Sequence, residues 1–276
     1  MFTLNCKGRL LVADKPLVMG IINITPDSFY PGSRLQDPAR VLEQATQMLH
    51  DGASILDVGG QSTRPDSTLL TEAEELQRTI ANIAAIHREL PEAIISVDTF
   101  YARVAEEAVV AGAAMVNDIS AGSMDSAMLT TVARLKVPYV CMHMRGTPQT
   151  MQQHTQYDDV VKEVLDYFIE KTADCKKAGI HDVIIDPGFG FAKTTDQNLR
   201  LLKQLQVLQI VDRPILAGLS RKATIYKTLG TTASNALNGT TVLNTLALQN
   251  GATILRVHDV KEAVEAVTLF CAYQNA

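Results

Sequence analysis

Ser54-Ile-Leu-Asp-Val58, then Thr71-Glu-Ala-Glu-Glu-Leu-Gln-Arg-Thr-Ile-Ala-Asn-Ile-Ala84, then Ile94-Ile-Ser-Val97: an apolar run, an amphipathic run and a second apolar run decide the architecture. The short runs are almost continuously apolar, as strands covered on both faces are in a parallel sheet. Between them, Thr71-Glu-Ala-Glu74 is a capping box, and Leu76, Ile80, Ile83 and Ala84 fall on one helical face with Pro91 just beyond. The unit reads β-α-β.

The same unit recurs outward in both directions. Apolar runs at Leu17–Ile22, Ala114–Val116, Tyr139–Met142, Val183–Ile185, Ile215–Ala217 and Thr253–Val257 bring the candidate strands to eight in 276 residues. Helix signals lie between them. Asp37-Pro38 offers an N-cap and a first-turn proline ahead of Val41, Leu42, Ala45, Met48 and Leu49, with Gly52 to close the helix. Val160, Val161, Val164, Leu165, Phe168 and Ile169 stripe another helix that ends near Gly179, and Asp259-Val-Lys-Glu262 is expected to cap the last. Phe2–Pro16 alternates about a Lys7-Gly8 turn and reads as a hairpin closing the bottom of a barrel. These features predict an α/β fold, a (β/α)₈ barrel in one domain over residues 1–276. A doubly wound sheet is the competing architecture. It usually carries a glycine-rich turn after its first strand, where this chain has Asn23-Ile-Thr-Pro-Asp-Ser-Phe29.

Composition narrows the function. Hydrophobic residues make up 46%, too many for disorder, and 25 basic against 30 acidic residues give a net charge of −5. That balance argues against nucleic-acid binding, which needs a basic face, but allows one cationic pocket for a small anion. The four cysteines contain no C-x-x-C pair and read as reduced thiols. Neither a signal-peptide core nor a membrane-length apolar run is present, so a soluble cytoplasmic protein is expected.

In a (β/α)₈ barrel the chemistry sits at the C-terminal strand ends. Those ends read Asn23, Asp57-Val-Gly-Gly-Gln-Ser-Thr-Arg64, Asp98, Asn117-Asp118, His143, Asp186, Ser220-Arg-Lys222 and Arg256-Val-His258. A single polar residue after a strand is ordinarily a turn or a cap. A polar group at every strand end points to one convergent site. Arg64, Arg221, Lys222, Arg256 and His258 suit phosphate or carboxylate groups, while Asp98, Asn117 and Asp186 suit the amide-like edge of a flat heterocycle. Thr25–Leu35 and Thr63–Leu70 read as lid loops.

The motifs Gly20-Ile-Ile-Asn-Ile-Thr-Pro-Asp-Ser-Phe29, Asp57-Val-Gly-Gly-Gln-Ser-Thr-Arg-Pro65, Ser96-Val-Asp-Thr99, Asn117-Asp-Ile119, Asp186-Pro-Gly-Phe-Gly-Phe191, Ser220-Arg-Lys222 and Arg256-Val-His-Asp-Val260 resemble, in order, those of the dihydropteroate synthase family. The resemblance implies a TIM-barrel transferase of folate biosynthesis, Mg²⁺-dependent and homodimeric. It would join 4-aminobenzoate to (7,8-dihydropterin-6-yl)methyl diphosphate by an SN1-like displacement, with sulfonamides competing as aminobenzoate mimics. It implies catalytic roles for Asn23, Lys222, Arg256 and His258, with Asn23 the metal contact. Pterin and diphosphate would meet Thr63, Asp98, Asn117, Met142, Asp186, Phe191, Lys222, Arg256 and His258. Aminobenzoate would meet Thr63, Arg64, Pro65, Phe191, Ser220 and Lys222, its carboxylate at the start of a helix near Arg221. Asp57 is expected to hold Arg64 or Lys222, and His143 to be a satisfied rim residue.

Three positions depart from the family pattern: Gln61 where Glu is frequent, Tyr30-Pro31-Gly32 in place of an Asp-Gly-Gly turn, and Ala223 where Ser is common. Other readings stay open. They are a methyltetrahydrofolate methyltransferase-type barrel, a Schiff-base aldolase on Lys222, and a pterin-binding protein without catalysis.

Overall fold

The computed structural model describes residues 1–24, 38–61 and 69–276. A two-stranded hairpin, β1 (Phe2–Cys6) and β2 (Arg9–Ala13), precedes a strand-helix alternation. Lys7 and Gly8 both take positive φ, 55° and 88°, as a two-residue hairpin turn requires. The alternation runs β3 (Leu17–Asn23), α1 (Pro38–His50), β4 (Ile55–Gly59), α2 (Glu72–Glu89), β5 (Ile95–Asp98), α3 (Ala102–Ala111), β6 (Met115–Asp118) and α4 (Met128–Leu135). It continues with β7 (Tyr139–Met142), α5 (Val160–Ala178), β8 (Val183–Asp186), α6 (Thr195–Lys203), β9 (Leu216–Ala217), α7 (Ala223–Thr228), α8 (Leu237–Gln249), β10 (Ile254–Val257) and α9 (Val260–Gln274).

The strands pair in parallel in the order β8-β7-β6-β5-β4-β3-β10-β9. A parallel bridge between Ile185 and Ile215 joins the two ends, with Ile185 N–H donating to the Pro214 carbonyl at 2.9 Å. The sheet is therefore a barrel, and the doubly wound alternative falls away.

Side-chain alternation gives the barrel its layers. At the bottom, Met19, Ile55, Ile94, Met115, Val140, Ile184, Leu216 and Ile254 fill the interior. Leu4, Cys6 and Ala13 of the hairpin pack beneath them, so the hairpin closes the bottom. Outward residues such as Ile22, Val58, Val97, Cys141, Ile185 and Leu255 pack on the helices. Full burial of side chains of this size favours folding by roughly 1.5–3 kcal/mol each. Two residues further along most strands, the inward positions turn polar: Asp57, Ser96, Asn117, Asp186 and Arg256. The apolar lower layers hold the barrel, and its upper interior is left for chemistry.

The helix caps expected on α2 and α5 are present. Thr71 accepts from Glu74 N–H while the Glu74 carboxylate accepts from Thr71 N–H. Asp159 caps α5, and Gly179 ends it in the left-handed region. Asp37 lies outside the described residues. The expected Asp259 cap is not made, because its carboxylate is taken by Arg221 at 2.8 Å through both Nε and Nη2. Among the described residues, no helix is long and apolar enough to cross a membrane.

Candidate active site

The register sets Asn23, Gly59, Asp98 and Asn117 at one height across β3, β4, β5 and β6, and sets Met142 beside Asp186. Arg256 reaches from β10 across the mouth. Its Nε donates to Asp57 Oδ2 at 2.6 Å and its Nη2 to Asp98 Oδ2 at 2.5 Å. Asn117 Nδ2 donates to the same Asp57 oxygen at 2.9 Å. Asp57 thus holds Arg256 and Asn117 rather than Lys222, one of the two partners expected from sequence; the other, Arg64, lies outside the described residues. The clasp fixes the guanidinium plane and leaves Asn117 its carbonyl and a second N–H for a ligand. Gly59 makes room for it, since a Cβ there would lie 3.3 Å from the Asp98 Cβ.

Asp186 ends β8, buried, with Oδ1 accepting Gly188 N–H at 2.8 Å. Lys222 stands opposite. Its Nζ donates to the Phe189 carbonyl at 2.6 Å and lies 4.9 Å from the centroid of the Phe191 ring. The two converge over Gly218, where a Cβ would sit 3.5 Å from Lys222 Nζ and 4.0 Å from Asp186 Oδ2. On the wall beside them, buried Phe100, Ile119 and Met142 pack with partly buried Phe191 and Met144.

Burial governs the charges. It pushes Asp98 up to about 7 against the pull of Arg256, and it raises Asp186 against the pull of Lys222. It lowers Lys222 to about 8, with Asp186 opposing. Burial also works against the Arg256 charge, but Asp57 and Asp98 hold its pKa above the ordinary value. His258 drops to about 4 through burial and then Arg256, so it is neutral at pH 7. The Ser220 hydroxyl accepts from His258 backbone N–H at 3.2 Å and lies 3.0 Å from Nδ1. Ser220, expected to face aminobenzoate, thus holds both the backbone and the ring of His258.

Arg221 is paired with Asp259. Besides Asp259, it donates to the carbonyls of Ala233 and Ser234. Its φ of +54° delays the following helix, which starts at Ala223 and runs six residues. Thr63, Arg64, Pro65 and both proposed lid segments up to Thr68 lie outside the described residues, as does Pro31. Gln61 is described. It accepts Leu70 N–H at 2.8 Å and donates to Glu75 Oε2 at 3.1 Å. Glu75 is fully buried and pushed up to about 7 by that burial. A neutral amide suits this place, because a second carboxylate would have to share a proton with Glu75.

His143 is buried and satisfied, as expected, but its partner is a residue the sequence reading missed. Lys193 Nζ lies 2.9 Å from His143 Nδ1. The sequence signal was available: Lys193 closes the glycine-rich run after Asp186.

The pattern described as pterin binding enzyme matches residues 19–258, from the first barrel strand to His258. This chain belongs to the pterin-binding enzyme family. Within that family it is 42% identical over 272 residues to the dihydropteroate synthase of Escherichia coli (strain K12), covering 98% of this chain and 96% of that one. A solved structure of the Xanthomonas albilineans dihydropteroate synthase with 4-aminobenzoic acid superposes with a TM-score of 0.92 at 41% identity, covering 99% of this chain and 98% of the other. A structure of the synthase from the same organism in complex with 7,8-dihydropteroate gives a TM-score of 0.88 at 39% identity, covering 100% of both.

Proposed function

We infer that this pterin-binding chain is a transferase that condenses (7,8-dihydropterin-6-yl)methyl diphosphate with 4-aminobenzoate, giving 7,8-dihydropteroate and pyrophosphate in folate biosynthesis. One observation carries the reading: Asp98, Asn117, Asp186, Lys222 and Arg256 converge over a closed apolar barrel in a chain related along its length to dihydropteroate synthases.

In this reading the amino-pyrimidinone edge of the pterin lies against Asp186, whose free oxygen accepts its N–H groups, and against the remaining donor and acceptor of Asn117. Asp98 accepts a further N–H. Lys222 donates to the ring carbonyl or N5. Met142 and Phe191 cover the ring, and the clasped Arg256 guanidinium lies along it. A wrong ring would leave these buried groups unpaired, which is the stronger form of discrimination.

The diphosphate meets Asn23, Thr63, Arg256 and His258. The bond from the pterin methylene to the diphosphate oxygen breaks, and its electron pair leaves with pyrophosphate. The methylene cation is delocalised into the ring. The aminobenzoate nitrogen then forms the new C–N bond and releases a proton. A weak arylamine nucleophile needs placement more than a base. Aminobenzoate lies by Thr63, Arg64, Pro65, Phe191 and Lys222, near Ser220. Its carboxylate meets the N–H groups of Ala223 and Thr224.

Mg²⁺ would be held at Asn23 in this reading. Among the described residues there is no cluster of three His, Cys, Asp or Glu side chains for it, and Asn23 offers one hard oxygen at a strand end. A metal held there would leave room for substrate oxygens and water, and would neutralise charge on the leaving group.

The functional unit in this reading is the whole of residues 1–276, as a cytoplasmic homodimer. Four free cysteines agree with a reducing compartment, and cell fractionation tests it. Val242 and Leu246 on α8 and Leu269 and Tyr273 on α9 are exposed, an apolar surface suited to a second copy. Sedimentation at twice the chain mass of 30.0 kDa checks this. Product analysis tests the activity. Dihydropteroate should form only when both substrates and Mg²⁺ are present, and none forming would refute the assignment.

A further inference from the structure

We propose that Lys193 is a positioning residue for the pterin pocket: its buried ammonium ties the loop after β8 to the end of β7 and so sets the places of Asp186, Phe189 and Phe191. The proposal rests on pterin being the ligand of this site.

The Lys193 side chain is buried, and its residue is only 4% exposed. An ammonium has three N–H donors, and each has an acceptor here: His143 Nδ1 at 2.9 Å, the Gly188 carbonyl at 3.1 Å and the Phe191 carbonyl at 3.1 Å. Two of these belong to the loop that begins at Asp186, and the third to the residue following β7. The backbones already touch at that point. His143 N–H donates to the Asp186 carbonyl at 2.9 Å, and Gly188, with φ of +67°, leaves no room for a Cβ against the His143 carbonyl.

The loop residues Pro187 to Ala192 carry no charged side chain of their own. Phe191 N–H closes one turn on the Gly188 carbonyl at 3.0 Å, and the other ties come from outside the loop. Lys222 holds the Phe189 carbonyl on the side of the site, Asn198 accepts Gly190 N–H at 2.8 Å, and Lys193 holds the Gly188 and Phe191 carbonyls from the interior. The loop is thus gripped between two lysines. One faces the ligand and the other does not.

An apolar side chain would fill the Lys193 site at a lower desolvation cost, but it would leave Gly188 O and Phe191 O without this donor. The ammonium selects one arrangement of the loop before the ligand arrives, which spares that ordering cost on binding. Its charge is also poised. Burial lowers Lys193 to about 7, Asp186 opposes this, and Lys222 and Arg145 add to it. His143 stays neutral, held well below its ordinary value by burial and then by Lys193 and Arg145. Once Lys193 loses its proton, its two N–H donors and lone pair face the same three partners without the charge that strengthens each tie.

Calorimetric titration with 6-hydroxymethylpterin tests the proposal on the parent, Lys193→Met and Lys193→Arg, with far-UV circular dichroism to follow unfolding. At about pH 6, Lys193→Met should lose about ten-fold or more in affinity while unfolding cooperatively, and Lys193→Arg should recover most of that loss. Between about pH 6 and 8.5 the parent should lose affinity more steeply than Lys193→Arg, whose guanidinium keeps its charge. Lys193→Met binding like a parent that does bind, or parent and Lys193→Arg sharing one pH profile, overturns the proposal. Should Lys193→Met not fold, the pH comparison decides alone. A parent that binds no pterin refutes the functional reading itself, and the Lys193 role with it.

Discussion

Asp186→Asn keeps an acceptor for Gly188 N–H but can present a donor to the ligand where the carboxylate presents an acceptor. Losing a charge-assisted pair in a buried site costs about 2–5 kcal/mol, so pterin affinity should fall at least thirty-fold or so by calorimetry. An unchanged affinity removes Asp186 from its role. His258 gives a second prediction at this scale. Burial holds its ring neutral down to about 4 from an ordinary 6.5. Below pH 6.5 the unfolded chain therefore takes up a proton before the folded one does, and stability present above 6.5 is lost as the pH falls toward 4. His258→Gln removes that loss. Between those pH values its denaturation free energy should decline by up to roughly 3 kcal/mol less than the parent's; parallel acid limbs would contradict the neutral, half-buried ring. Asp98, Asn117, Asp186, Lys222 and Arg256 were legible in the sequence because strand ends are where a barrel places its chemistry. The Asp57–Arg256 clasp was not, because it joins β4 to β10 across 199 residues and no local spacing encodes it. Lys193 escaped notice because its ammonium points into the interior, where a lysine is rarely buried without partners.

At the scale of elements, the eight strands were legible from continuous apolarity, and the hairpin from its Lys7-Gly8 turn. What sequence left open was which residues of a run face inward, since both faces are buried. The capping signals of α2 and α5 held, while Asp259 was claimed by Arg221, a partner 38 residues away. That pair links the loop from β9 to α7, which bears Ser220 and Lys222, to the turn from β10 to α9, which bears His258. The short α7 carries its own prediction. In the proposed pocket the aminobenzoate carboxylate lies at the N–H groups of Ala223 and Thr224, where an anion gains ~0.3–2 kcal/mol. Ala223→Asp places a fixed carboxylate in the same field. It should raise the aminobenzoate Michaelis constant by about ten-fold or more and leave the pterin constant within about two-fold. Ala223→Ser adds one optional donor and should change little. Steady-state kinetics with both substrates decides, and an aminobenzoate constant untouched by Ala223→Asp moves that carboxylate elsewhere.

The whole molecule divides its work by height along the barrel axis. The hairpin and the lower interior are apolar and supply stability, whereas the upper interior holds buried carboxylates and cations that cost desolvation energy. Such a buried ion cluster is weak support for folding, and breaking one partner leaves an uncompensated charge worth about 3–5 kcal/mol. The cluster is better explained by a ligand than by stability. Closure of the barrel through Ile185 and Ile215 brings the ends of β8, β9 and β10 together, so that Asp186, Lys222 and Arg256, far apart in sequence, meet at one mouth. A crystal structure of the chain soaked with 7,8-dihydropteroate tests this account most directly. The pterin edge should lie within hydrogen-bond distance of both Asp186 and Asn117, with Lys222 on the ring and the benzoate arm directed past Phe191. Density for the pterin at any other place, or with its amino-pyrimidinone edge turned to solvent, would contradict it.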